Sequence, residues 1–403
     1  MKILVLNGGS SSQKSSFYSL DRWSFDSRVE PLWSAQLSWS KEGAGELVVN
    51  RRDSLAVSAP VAEPRDEAAL AHLLGTLFKG DAAIISGPEE VDIVGHRVVH
   101  GGHKYMDSVF IDEKVKETMR QLVELAPAHE RENLKGVEIA QRVFPGARQL
   151  AVFDTAFHRR MPEEAAVYPL PYEWFAELGI RRYGFHGISH SFCAERAAQI
   201  LGRPLSELKL ITCHLGNGCS LTAVKEGRCQ MTTMGFTPLA GLMMGKRCGS
   251  VDPSILLYLL EHGKYTVGEL QEILNQESGL KGVSGLSGDM RAIEQAASQG
   301  HERARLAFNM FVLSLKQHIG SLIPLLGGLD ALVFAGGIGE NSTAVRKEVC
   351  QALGFLGVAV DDDKNKHSSF DLDISAEGAS VKVLVVHTAE DWAIAGECFR
   401  HMA

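Results

Sequence analysis

No two of the seven cysteines form a C-x-x-C pair, and their number is odd. Cys193, Cys213, Cys219, Cys229, Cys248, Cys350 and Cys398 lie scattered, which excludes a disulfide framework and fits a reduced, cytoplasmic chain. Basic residues are in the minority: 41 Lys and Arg against 49 Asp and Glu give a net charge of −8. With no basic stripe interleaved with aromatics, nucleic acid is not an expected partner. No window is expected to reach the apolar length of a membrane span, and the opening MKILVLNGG enters a strand-like run without a cleavable signal. Low-complexity linkers are missing too, so a domain boundary has to be compact. Glycine, by contrast, is abundant, with 40 residues gathered in short clusters after apolar runs. Glycine lets backbone amides approach a ligand closely, so these clusters point to anion or nucleotide loops.

A chain of 403 residues suits two or three domains. Short β-like runs alternate with amphipathic helical ones, which predicts an α/β protein. KILVL (2–6) leads into a glycine-serine loop, and KSSFYSL (14–20) reads as a second strand because it has no helical apolar period. LKLITCHLGNGCSLTAVKEGR (208–228) repeats that pattern: strand, G-x-G turn, strand, then a turn at Glu226-Gly227. Two such units, one opening each half, suggest an internal duplication. Further strands are expected within 91–100, 148–154, 330–337 and 381–388. Helices announce their ends: Asp252 caps one with Pro253 first inside and Gly263 as its stop, and Thr266 with Glu269 forms a capping box. An apolar-faced helix is expected over 303–323, ended by Pro324. Residues 21–90 are polar with poor periodicity and predict surface elements and one helix near 66–79.

The first loop, read from Gly8 as G-x-x-x-x-Q-K-S, falls one residue short of a P-loop. A P-loop must pass from strand into helix, so that the helix N-terminus and successive amides hold phosphate. Here Gln13 stands where the second glycine is required, and a strand follows. VFAGGIGENS (333–342) is strand, glycine loop, then helical sequence, without the spacing of a dinucleotide fold; Gly336, Gly337 and Gly339 at a strand end favour a nucleotide loop. GHRVVHGGHKY (95–105) sets three histidines around Arg97 but lacks the Cys or acidic partners of a zinc site. Asp154 ends an apolar strand, as either a strand-end cap or a metal-orienting carboxylate. His186 sits between glycines before a helix, and Arg247 between small residues before the helix capped by Asp252. Two arginines in glycine-rich loops fit paired clamps for carboxylate or phosphoryl oxygens. No Ser-His-Asp or Cys-His elbow stands out, which disfavours covalent acyl catalysis.

Taken together, LNGGSSSQK, GHRVVHGG, ELAPAH, VFDTAFH, RRYGFHG, ITCHLGNGCS, MGFTPLAGLMMGKRCGSVDP, GVSGLSGDMR and FAGGIGEN resemble the acetate kinase family, in its order, from residue 3 to about 395. The resemblance implies an α/β fold of duplicated actin-like ATPase (ribonuclease H-like) domains flanking a nucleotide cleft. Their expected extents are 1–154 plus 391–403, and 155–390, the second carrying most of the nucleotide site. It implies a homodimer that uses ATP and ADP with Mg²⁺ (or Mn²⁺ in its place) to interconvert acetate and acetyl phosphate by direct in-line transfer. Membrane and nucleic-acid partners are not implied.

Residue by residue, the same resemblance gives Arg97, Asp154, His186 and Arg247 as catalytic. Arg97, Val99, Ala128, His129, Phe185 and Pro238 would hold the substrate, with Asn7 and Glu390 at the metal. ATP would meet Asn7, Ser10, Ser12 and Lys14 on the first turn, and His214, Leu215, Gly216, Asn217 and Gly218 on the second. Asp289, Met290 and Arg291, with Gly337, Ile338, Gly339, Glu340 and Asn341, would face adenosine and ribose. The chain departs from the family pattern at Gly8, usually Ala, and Gln13, commonly Leu. In ELAPAHEREN (124–133) Ala128 replaces a leucine beside the substrate methyl, which makes a propionate or other short-chain acyl kinase the alternative. Glu130 replaces an asparagine, and nothing in the sequence explains it. A sugar kinase would need a hydroxyl-activating base instead of two arginines, and a chaperone-like ATPase a further binding domain.

Overall fold

The computed structural model describes residues 1–8, 12–25, 28–39, 45–53, 56–61, 67–123, 127–366 and 371–403. Ser10 lies outside the described residues, as do the side chains of Ser12, Ala128 and His129. The chain divides into two compact units, Met1–Ala156 with Ala389–Ala403, and Phe157–Thr388.

The first unit is built on β1 (Lys2–Gly8), β2 (Ser12–Ser19), β3 (Trp33–Trp39), β4 (Gly45–Arg51), β5 (Val57–Val61), β6 (Ile93–Val98), β7 (Val109–Phe110) and β8 (Arg148–Phe153). They form one sheet in the order β5-β4-β3-β2-β1-β6-β8-β7. Ile3, Leu4 and Val5 are fully buried because helices cover both faces of the central strands, which is why KILVL reads as a continuous apolar run. The final helix, Glu390–Met402, lies so close to β6 that a Cβ on Gly95 would stand 2.5 Å from Cys398 Sγ. Glycine is required there by the approach of helix to strand.

The second unit holds β9 (Lys209–Leu215), β10 (Cys219–Lys225), β11 (Arg228–Thr232), β12 (Ala331–Ala335), β13 (Leu372–Asp373) and β14 (Lys382–Val385), ordered β11-β10-β9-β12-β14-β13. Its six strands repeat the plan of β3-β2-β1-β6-β8-β7 in the first unit. β9 pairs antiparallel with β10 and parallel with β12, as β1 does with β2 and β6. β12 then runs parallel to β14, as β6 does to β8. The duplication suggested by the two strand–turn–strand stretches is a shared topology.

Residues 21–90 differ from expectation. They contribute the helix Glu67–Gly75 but also β3, β4 and β5, and Trp33, Leu37 and Leu47 of these strands are core residues. In WSAQLSW the buried positions 33, 35 and 37 alternate, a period of two that the intervening serines and glutamine obscure. The glycine loop at 337–341 is also different: Gly336–Asn341 is a one-and-a-half-turn helix. The long helix runs Glu302–Leu326 with Pro324 inside its last turn, and Gly327, at φ 66°, ends it. By length and apolarity this helix meets the measure of a membrane span, with a window averaging 1.2 in hydropathy, contrary to the reading of the sequence. Its inner side, including Phe311, Leu315 and Ile319, packs in the protein core, and Leu306, Met310 and Leu313 add apolar residues outside. The helix capped by Asp252 and the Thr266–Glu269 capping box form as read.

If β3 is core, Leu37→Ala should destabilise the protein by about 2–5 kcal/mol in urea unfolding; a change below about 0.5 kcal/mol would return the segment to the surface.

Candidate active site

In the first unit, three neighbouring parallel strands bring their C-terminal ends together, where ligands sit in α/β sheets. Asn7 comes from the end of β1, Arg97 from β6, and Asp154 directly follows β8. Arg97 donates through Nε at 3.0 Å and Nη2 at 2.7 Å to Asp154 Oδ2. Its Nη1 donates to Asn7 Oδ1 at 3.1 Å and stands 3.1 Å from Glu390 Oε2. Burial works against the guanidinium charge, but Asp154 and Glu390 outweigh it and hold its pKa above the usual range. Asn7 Nδ2 donates to Asp391 Oδ1 at 2.8 Å, and Ser16 Oγ donates to Asp391 Oδ2 at 2.5 Å. One arginine is thus surrounded by three carboxylates. Val99 is buried beyond the end of β6, its N–H donating to Asn133 Oδ1 at 3.0 Å. Lys14 faces Asn7 across the hairpin and is exposed. Gly8 and Gln13 are also cross-strand partners, and the Gln13 amide lies over Gly8 where a Cβ would otherwise be. The two departures at the turn therefore occur as a matched pair.

The second unit gathers a different set. Gly216–Gly218 form the β9–β10 turn, closed by Gly216 N–H donating to Gly218 O at 3.0 Å. A Cβ on Gly218 would stand 3.2 Å from Arg247 Nη1 and 3.3 Å from His186 Nε2, so both side chains flank this glycine. His186 has φ 59° at the N-terminus of the helix Gly187–Leu201, a left-handed conformation that costs a non-glycine residue about 1–2 kcal/mol. Its ring stacks on His214 at 4.2 Å, and His214 Nδ1 meets Ser189 Oγ at 2.8 Å. Arg247 donates to Pro238 O at 3.3 Å and, among the described residues, forms no ion pair with a carboxylate. Burial pushes its pKa below the usual value, with Cys219 acting weakly the other way. Phe185 is buried, and its carbonyl accepts from His158 Nε2 at 3.0 Å.

The expected adenosine-side residues separate into two kinds. Asn217, Asp289, Arg291, Gly337 and Asn341 are exposed, and Gly337 has open space around it. Gly245 and Gly288 lie back to back, which sets the Asp289 segment against the β9–β10 turn; Gly245 N–H donates to Asn217 O at 3.4 Å. Asp289 caps its helix and pairs with Arg291 at 2.7 Å, which lowers its pKa. Leu215, Met290 and Gly339 are instead buried, and Ile338 is half-buried, leaving these positions mainly a backbone role. Glu340 turns inward as well: Oε1 accepts from Gly336 N–H at 2.9 Å and Thr388 N–H at 3.2 Å, while Oε2 pairs with His387 at 2.7 Å. It holds the short helix in place.

The acetokinase family profile matches residues 2–396. The chain belongs to the acetokinase family. Members of the acetokinase family are phosphotransferases with a carboxyl group as acceptor and ATP or ADP as co-substrate. Acetate kinase of Nostoc punctiforme is 50% identical over 402 residues, 99% of each chain, and that of Gloeobacter violaceus 52% identical over 409, all of each. The crystal structure of Porphyromonas gingivalis acetate kinase superposes with a TM-score of 0.90 at 38% identity over both whole chains. That of a propionate kinase from Francisella tularensis gives 0.89 at 36%, covering 98% of each. The two-sheet α/β architecture is accordingly the duplicated actin-like ATPase fold of this acetokinase family.

Sequence reasoning missed Asp391 and Ser16, although TAEDW sets two acids in a first helical turn. It also missed His190, one helical turn after His186 and signalled only by that spacing. Glu130 now has a setting. It is fully buried in the first turn of the helix Pro127–Val143, and Oε1 accepts from His100 N–H at 2.7 Å. Burial pushes its pKa up to about 8, so the carboxyl is mainly neutral at pH 7 and adds little charge. Unfolded, it ionises near pH 4.3, so the folded state binds the extra proton between roughly pH 4.3 and 8 and stability falls as pH rises through that window. Glu130→Gln should remove this contribution to the slope in pH-dependent thermal unfolding; an unchanged slope would show that Glu130 is ionised in the fold.

Proposed function

We propose that the chain transfers the γ-phosphoryl group of ATP reversibly to acetate, giving acetyl phosphate and ADP, by direct in-line transfer. The observation that carries this reading is Arg247, a half-buried cation without a carboxylate ion-pair partner among the described residues, flanking Gly218 together with His186. Such a guanidinium favours an anion beside it. Acetate is ionised at neutral pH and needs no base to become a nucleophile. The obstacle is bringing one anion against another, so catalysis consists of positioning and charge stabilisation. Arg247 and His186 donate to the transferring phosphoryl oxygens. In the first unit Arg97, oriented by Asp154 and Asn7, takes the carboxylate.

The β9–β10 turn binds phosphates through its amides, and the exposed Asp289, Arg291, Gly337 and Asn341 receive adenosine and ribose. Three carboxylates around Arg97 leave a negative balance, and Asn7 and Glu390 offer the hard oxygens that Mg²⁺ or Mn²⁺ takes. The described residues contain no cluster of three His, Cys, Asp or Glu for a directly bound ion, so this reading is of a largely hydrated one. When bound, it neutralises charge on the phosphate oxygens. The seven free cysteines fit the cytoplasm. Propionate is the second acceptor, favoured by the named activity of the Francisella relative and by alanine at position 128.

Hydroxylamine trapping of acyl phosphate with ATP, Mg²⁺ and acetate, propionate or butyrate tests this. Acetate should give the highest kcat/KM, and Arg247→Ala should lose ~10²–10³ in turnover; no hydroxamate from any acid, or near-normal Arg247→Ala, would overturn it.

A homodimer belongs to the same proposal. The helix Pro253–Glu261, PSILLYLLE, has no buried residue, and Ile255, Leu257 and Tyr258 are more than half exposed. A second copy covering this apolar helix would remove that surface from water. Light scattering should give twice 43.9 kDa, and Leu257→Glu should shift the population to monomer; a wild-type monomer at micromolar concentration would contradict it.

A further inference from the structure

Behind His186 runs a chain of buried hydroxyl and imidazole groups. His186 Nδ1 lies 2.9 Å from Ser220 Oγ, which lies 2.7 Å from His190 Nε2. His190 Nδ1 lies 2.7 Å from Thr212 Oγ1, and the Thr212 hydroxyl donates at 3.4 Å to the carbonyl of Thr222. Ser220, His190, Thr212 and Thr222 are each at most 1% exposed.

Each hydroxyl has one proton to give, so the direction of the last bond fixes all the others. Thr212 gives its proton to the Thr222 carbonyl and must accept from His190 Nδ1–H. Burial, with smaller contributions from His158 and His214, pushes the His190 pKa well below its usual value, so His190 is neutral and carries that one proton. Its Nε2 is therefore an acceptor, and the Ser220 proton goes there. Ser220 is left to accept from His186, which requires a proton on His186 Nδ1. The second ring nitrogen, Nε2, faces Gly218 beside Arg247.

We infer that Ser220, His190 and Thr212 are positioning residues that hold neutral His186 as the Nδ1–H tautomer, so its Nε2 can donate to a phosphoryl oxygen only when the ring is an imidazolium. The functional part of this inference rests on the reading of His186 as a phosphoryl donor. The chain then ensures that the donor arrives with a full positive charge, which strengthens the hydrogen bond to a phosphoryl oxygen. Among the described residues, the titratable groups around the ring include His214 of β9, stacked on it, His190 on its own helix, and Arg247 across Gly218. Two cations at one glycine repel each other until an anion joins them, so ligand phosphate and the proton on His186 should favour each other.

Thr212→Val tests the direction of the chain from two side chains away. Without the Thr212 acceptor, His190 should take its proton on Nε2 and donate to Ser220. Ser220 then donates to His186 Nδ1, and neutral His186 becomes the Nε2–H tautomer. Long-range ¹H–¹⁵N spectra of the whole enzyme labelled with ¹⁵N-histidine, assigned with His186→Gln, read the tautomer directly. The wild type should show Nδ1–H in neutral His186, and Thr212→Val should show Nε2–H. In parallel, kcat should fall at alkaline pH in the wild type, and that fall should flatten in Thr212→Val, whose neutral His186 ring still donates from Nε2. Ser220→Ala, a smaller change in the same chain, should give a mixture of tautomers and guards against misfolding of the valine variant. Neutral wild-type His186 protonated on Nε2, or a tautomer indifferent to both substitutions, would overturn the inference. Full turnover in His186→Gln would instead overturn the donor reading and leave the tautomer result standing.

Discussion

The half-buried positive charge of Arg247 is the constraint on which the account of the second unit depends. Taking a guanidinium out of water costs several kcal/mol unless an opposite charge comes with it. Arg97 in the first unit meets this requirement inside the protein, through Asp154 and Glu390. Among the described residues Arg247 does not: its side chain donates to a carbonyl and meets a thioether. The two arginines differ in electrostatic state, one already outweighed by neighbouring carboxylates and the other poised for an incoming anion. The left-handed backbone of His186 adds a second unfavourable feature at the same glycine.

The duplicated topology explains how these groups reach their places. In each unit the first two strands pair antiparallel, and the next parallel strands end beside them. Asn7, Arg97 and Asp154 occupy those ends in the first unit, while Leu215, Gly336 and Thr388 follow the same plan in the second. Gly336, at φ 75°, stands so near the Leu215 backbone that a Cβ would come within 2.9 Å. Glu340 then ties the short helix to the segment after β14, so the nucleotide-side backbone is held from behind by a buried carboxylate. Burial raises the pKa of Glu340, but its pairing with His387 and the amides outweighs this and keeps it ionised.

Much of this was legible in the sequence, and the failures have physical causes. Apolar runs bounded by glycine gave the central strands, because strands covered on both faces are apolar throughout. Asp252, Thr266 and Glu269 marked helix starts because their side chains satisfy amides that the helix leaves free. The apparent P-loop resolves as a hairpin: Ser12–Ser19 is a strand, and Lys14 points into solvent. β3 to β5 escaped because one face of each is polar and the sheet extends beyond the family motifs. Asp391, Ser16, Ser220 and Thr212 escaped for another reason. They act through tertiary hydrogen bonds, and a single serine or threonine in a strand carries no pattern of its own. Glu130 had no explanation in the sequence, and only its burial shows that it is mainly a neutral acid.

The central claim is that the phosphoryl group passes directly between two anions held by cationic side chains, with no covalent enzyme intermediate. The stereochemical course at phosphorus measures this most directly, using ATP made chiral at the γ-phosphorus with three oxygen isotopes and analysing the acyl phosphate formed. A single in-line transfer predicts inversion. Retention would require an even number of displacements, hence a phosphorylated side chain, and would contradict the account.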